Sequence, residues 1–174
     1  MIADLPSTGL LILRVFIGLV FAAHGAQKLF GWFGGRGLVG FAGWLHSLGL
    51  RPARLWAWIA ALVETVSGLL LCLGVLTPVV AGLLVCDLLM AIAKVHWRNG
   101  FWNSKQGYEF PSTLIAALFA LVLIGPGAIA LGPQTVAGFG ELGLFAGSLV
   151  AGTVGVLIAL VTSRRPASQR PQAR

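Results

Sequence analysis

Acidic side chains are scarce in this sequence. Five Asp and Glu stand against twelve Lys and Arg, and only 10% of the 174 residues are charged. A soluble globular domain carries about 25% charged residues, so that class is excluded. Cysteine is scarcer still. Cys72 and Cys86 fall inside apolar runs with no metal-ligand spacing and no secreted disulfide framework, and they read as small buried hydrophobes. There is no CxxCH haem attachment run, no paired CxxC and no nucleotide-binding glycine loop. Any electrons the protein handles must therefore come from a partner protein or a soluble thiol. The basic excess forms no aromatic-interleaved patch on a soluble module, which argues against nucleic acid as a partner.

What is present is apolar. Hydrophobic residues make up 57% of the chain and the mean hydropathy is +0.92. The expectation is an all-α integral membrane protein: a four-helix transmembrane bundle over residues 1–137, a fifth transmembrane helix over 138–163, and a flexible basic cytoplasmic tail over 164–174. The first 25 residues lack a basic n-region, contain Asp4 and place Arg14 inside the apolar run, so they read as a retained first span.

A helix needs about 20 apolar residues to cross the hydrocarbon core. Spans are expected from Gly9 to Phe30, Ala53 to Leu76, Val79 to His96, from Pro111 to the "GPG" at Gly125–Gly127, and from Leu142 to Val161. A short interfacial helix is expected around Leu38–Leu48. Five spans put every Lys and Arg except Arg14 on one side: Lys28, Arg36, Arg51, Arg54, Lys94, Arg98, Lys105 and the tail arginines. Basic residues near span ends mark the cytoplasmic face, so the N-terminus is expected outside and the C-terminus in the cytoplasm of a bacterial inner membrane. Gly143, Gly147, Gly152 and Gly155 in the fifth span are candidate contact points, either within the chain or in a homo-oligomer. Membrane lipid is the expected surroundings.

Span one, "RVFIGLVFAAHGAQKLF", carries side chains that hydrocarbon rejects. At 100° per residue with Arg14 at zero, Gly18 lies at about +40°, Gly25 at about +20°, Lys28 at about −40° and His24 at about −80°. Arg14, His24 and Lys28 therefore share a face, and Gly18 and Gly25 let neighbours approach it. Gln27 sits apart. Glu64 lies midway along span two and Asp87 midway along span three. Charges inside a bundle cost at least a few kcal/mol each if they face lipid, so these groups should meet one another. Counted from the outer surface, Arg14 lies at about 8 Å, Asp87 at about 12 Å, Glu64 at about 18 Å and His24 at about 22 Å. Depth favours Arg14 with Asp87 and His24 with Glu64, while Arg14 is also long enough to reach Glu64.

A second group gathers at the inner boundary: Lys28, Lys94, His96, Trp97, Tyr108 and Glu109, with Trp32, Trp44 and Trp102 nearby. Tryptophans there usually anchor the interface. The same residue types also suit a ring-shaped ligand between aromatic walls, with a His or Tyr donor to a carbonyl oxygen.

"LRVFIGLVFAAHGAQKLFGWFGG", "WIAALVETVSGLLLCLGVLTP", "MAIAKVHWRNGFW…GYEF" and "LIGPGAIAL" follow one another across residues 10–132. In this order they resemble the DoxX family of small bacterial membrane proteins. The resemblance implies a four-helix membrane domain, beyond which residues 138–162 extend. It places Arg14, His24, Lys28, Glu64, His96 and Glu109 on family-typical polar positions; Asp87 rests on the bundle argument alone. It also implies a subunit like those of thiosulfate:quinone oxidoreductase, or of a membrane complex handling thiol and superoxide stress.

The expected function is thus a quinone-linked redox subunit working with a partner oxidoreductase protein. His24 or His96 would donate to the quinone, Glu64 would relay a proton and Arg14 would hold a carboxylate charged. Lys28, Asp87, Lys94, His96, Trp97, Tyr108 and Glu109 would line the ligand site, with no metal. A scaffold or small-solute carrier is the alternative, and haem or metal ligation by His24 and His96 a second one.

Overall fold

The computed structural model describes residues 5–133 and 138–163. Six α-helices follow one another: α1 (Leu5–Phe30), α2 (Gly37–Ser47), α3 (Ala53–Leu73), α4 (Thr77–Ala91), α5 (Glu109–Ile124) and α6 (Glu141–Thr162). α4 continues through a π turn at Ile92–His96 and a short 3₁₀ turn at Trp97–Asn99. Among the described residues, four segments are long and apolar enough to cross a membrane: α1, α3, Thr77–Asn99 and α6. The protein is an all-α membrane bundle.

α5 has 16 residues, about 24 Å of helix, and is shorter than a full span. Packing nevertheless carries it across the bundle. Its first turn puts Phe110 beside His24 near the C-terminal end of α1. Just past its last turn, Gly127 meets Ser7 and Leu10 at the N-terminal end of α1. α4 and α6 run parallel, because Gly82 faces Ser148, Cys86 faces Gly152, and Lys94 hydrogen-bonds Ser163. A chain that leaves α4 at one end and enters α6 at the other must cross back between them, and α5 is that crossing. Residues 134–137 and the tail 164–174 lie outside the described residues, so the tail arginines of the charge count do too.

Local sequence sets the breaks. α3 ends at Gly74, a left-handed C-cap with φ 67°, and Pro78 opens α4. The "GPG" turn holds Gly125 and Gly127 at positive φ, and the backbone after it folds over the end of the bundle where α1 begins. There Leu131 N–H donates to Leu73 O and Leu76 N–H to Pro133 O. The main core joins Ile17 and Phe21 of α1, Leu71 of α3, Leu84 of α4, Leu118 and Leu121 of α5 and Phe145 of α6. α6 therefore shares the bundle's core. α2 lies across the end of the bundle where α1 finishes and α3 begins, and there Leu45 packs with Leu50 and Ala57. Exposed Leu19, Leu62, Leu69 and Val161 face outward, as lipid-facing side chains of a bundle do.

α1 and α3 pack closest. A Cβ on Gly18 would collide with Gly68 O and Cys72, one on Gly25 with the Thr65 backbone, and one on Gly68 with Gly18 O. The expected close approach at Gly18 and Gly25 is what brings the polar face of α1 against α3. In α6, Gly152 packs on Cys86 and Gly143 lies against Phe139, whereas Gly147 and Gly155 face open space.

Candidate functional site

Lys28 Nζ lies 2.5 Å from Glu64 Oε2, joining α1 to α3. The Glu64 side chain is 8% exposed and that of Lys28 23%. Oε2 has no hydrogen-bond partner among the described residues apart from this ion pair. Asp87, from α4, hydrogen-bonds the Glu64 side chain and lies within electrostatic reach of Lys28 and His24. A carboxylate only accepts, so two carboxyls this close need either a shared proton or a cation beside them, and Lys28 supplies the cation. Three helices thus supply one ammonium and a carboxyl pair to one spot.

His24 forms the lateral edge of this cluster. It is exposed on the side of α1, and its ring centroid lies 6.4 Å from that of Phe110 on α5. The imidazole interacts with Gln27 and Lys28 on its own helix and with Asp87. His24 and Phe110 are both exposed on this side of the bundle, with Asp87 within electrostatic reach of the imidazole.

On its other side, Lys28 borders a cavity of about 270 Å³ between α1, the Gly35 turn and α2, lined by Gln27, Lys28, Gly35, Arg36, Phe41 and Trp44. Lys28 Nζ sits 5.0 Å from the centre of the Phe41 ring, and Phe41 stacks on Trp44 at 5.8 Å. The sequence reading did not single out Arg36 or Phe41 as lining residues. Neither belongs to a long periodic span, and only the fold of α2 over the end of α1 brings them to Lys28.

Arg14 goes elsewhere, which corrects the pairing expected from depth. Only 1% exposed, it donates from Nε to Cys72 O, from Nη1 to Pro126 O at 2.5 Å, and from Nη2 to Ile129 O. Cys72 lies two turns beyond Glu64 on α3, about 12 Å further along the helix. The guanidinium is held by backbone carbonyls where α3 and the turn after α5 meet, and neither carboxylate is its partner. Carbonyls at a helix C-terminus carry partial negative charge, which suits a cation there. Gly74 leaves room for it: a Cβ would sit 2.6 Å from Nη1.

The inner-boundary residues partner one another. His96 Nδ1–H donates to Gln106 O at 2.7 Å, and Glu109 Oε2 accepts from Asn103 N–H at 2.8 Å. Trp97 and Tyr108 stack at 5.4 Å and 19°, leaving no slot between them, and Phe101 meets Tyr108 edge-on. Lys94 Nζ donates to Ser163 Oγ at 3.1 Å. These contacts close the loop after α4. A ring-shaped ligand at this level would need aromatic walls other than the Trp97–Tyr108 stack. Among the described residues, no group of three or more His, Cys, Asp or Glu could hold a metal ion.

The DoxX family profile matches residues 9–97, which include α1 to α4 and the cluster of Lys28, Glu64, Asp87 and His24. The chain is 32% identical over 125 residues to a Bacillus subtilis (strain 168) protein named "Putative oxidoreductase CatD". That match covers 72% of this chain and 85% of that protein. It is 30% identical over 125 residues to the "Uncharacterized membrane protein Rv3486" of Mycobacterium tuberculosis, covering 66% of this chain and 74% of that one. No solved structure matches.

Proposed function

The chain belongs to the DoxX family, and from that premise we propose that it is a quinone-linked redox subunit of a bacterial inner membrane. Its N-terminus faces outward and its basic end the cytoplasm. The observation that carries this reading is the carboxyl pair of Glu64 and Asp87, charge-balanced by Lys28, directly behind the exposed imidazole of His24. The name of the Bacillus relative supports redox chemistry.

A quinone reaches its site from the bilayer, and the exposed side chains of His24 and Phe110 lie side by side on the outer surface of the bundle. The residues fit such a ring: Phe110 offers an apolar flank, and His24 a donor for a carbonyl oxygen. When bound, the quinone supplies two-electron, two-proton chemistry. His24 orients the ring by hydrogen bonding. A proton carried by Glu64 or Asp87 would pass to the imidazole, with which Asp87 interacts, and Lys28 would balance the pair's remaining charge as that proton leaves and returns. Electrons are assigned to a partner oxidoreductase protein, because Cys72 and Cys86 sit on different helices as free thiols.

The test is the quinone content of protein purified in native lipid, and quinol formation when a soluble thiol is added as the electron donor in place of the partner protein. Co-purifying quinone that falls on His24→Ala, with quinol formation lost on Glu64→Gln, is the expected result. Protein with no extractable quinone, and with both variants unchanged, would return the chain to a scaffold.

A further inference from the structure

We propose that the cavity between α1 and α2 binds an anionic oxygen headgroup, a phosphate or similar oxyanion, and that Lys28 couples its occupancy to Glu64. Two cations border this cavity, Lys28 and Arg36, while the side chains of Phe41 and Trp44 wall it. No carboxylate lines it. Gln27 Nε2 already donates to Phe33 O at 3.1 Å and keeps a second N–H to give. The cavity also adjoins the start of α2, whose first N–H groups have no side-chain cap, and such a terminus favours negative charge. Basic pockets at the cytoplasmic ends of membrane helices take lipid phosphates in this way.

Lys28 is the side chain that belongs to both sites. Its ammonium is within reach of Glu64 Oε2 on one side and of the Phe41 ring on the other. An anion beside Arg36 competes with Glu64 for that ammonium. Binding in the cavity and charge balance at the carboxyl pair therefore oppose each other.

The proposal stands apart from the quinone reading, since it is tested with no electron transfer. Full-length protein in nanodiscs of zwitterionic lipid, doped with phosphatidylglycerol, is released for native mass spectrometry and the retained lipid counted. Arg36→Gln should lower retention of the anionic lipid about fivefold, the effect of one basic group near a membrane surface. Glu64→Gln should raise it, because Lys28 is freed. A purely structural role for Glu64 would not produce that opposite sign. Inorganic phosphate is titrated in parallel. If it displaces the lipid with the same dependence on both variants, the natural ligand is a free oxyanion; lipid that stays bound against excess phosphate makes it a headgroup. Retention unchanged in both variants, or no binding of either probe, overturns the proposal.

Discussion

Lys28 and Glu64 are partners across the α1–α3 interface, with Nζ 2.5 Å from Oε2 in a setting where Glu64 is almost wholly enclosed. Removing one member of a buried pair strands the other charge. Lys28→Met is expected to destabilise the protein by about 3–5 kcal/mol. Lys28→Met combined with Glu64→Gln should recover most of that loss, since no uncompensated charge remains. Unfolding of the single and double variants in one detergent gives the coupling, and purely additive losses would exclude the pair as an energetic unit.

Arg14 bears on stability rather than ligand chemistry. Its guanidinium links α1 to the end of α3 and to the turn after α5 through three carbonyls. Arg14→Met leaves those acceptors unmet, at about 1–3 kcal/mol for each one that stays dry. The expected outcome is a lower unfolding midpoint with quinone retention unchanged per folded molecule. Loss of quinone at full stability would contradict this.

Gly25 should tolerate no side chain. Even one methyl group meets the Thr65 backbone, and relieving it forces α1 away from α3, stretching the Lys28–Glu64 pair. Gly25→Ala is expected to cost about 1–3 kcal/mol. Gly147→Ala, on a face with nothing near, should cost almost nothing. Thermal unfolding of the two variants side by side checks the contrast.

The proposed orientation is open to a direct test. In a cysteine-free background, Lys105→Cys should react with a membrane-impermeant maleimide only after the cytoplasmic side is opened, and Gly138→Cys should react from outside. The reverse labelling would invert the topology.

The spans, the interfacial helix and the polar face of α1 were legible in the sequence because helical periodicity and hydropathy are local. The axial level of each charge was less so. Side chains on a helix lean toward its N-terminus. That lean carries Lys28 back from the inner boundary to the level of Glu64, and it carries Arg14 outward, away from both carboxylates. A depth count taken from Cα positions missed this, and so paired the wrong cation. Arg14's partners were also invisible, because they are carbonyls exposed only by the "GPG" turn and the end of α3.

By itself the sequence determined that this chain lies in a membrane, where its helices begin and end, and which residues must avoid lipid. Transfer free energy and backbone hydrogen bonding dictate those features segment by segment. Only the tertiary structure decided which charge meets which, and that Arg36 and Phe41 of the connecting segment join Lys28 around one cavity. Contacts between helices depend on how closely Gly18, Gly25 and Gly68 let two backbones approach, and on where each side chain leans once they do.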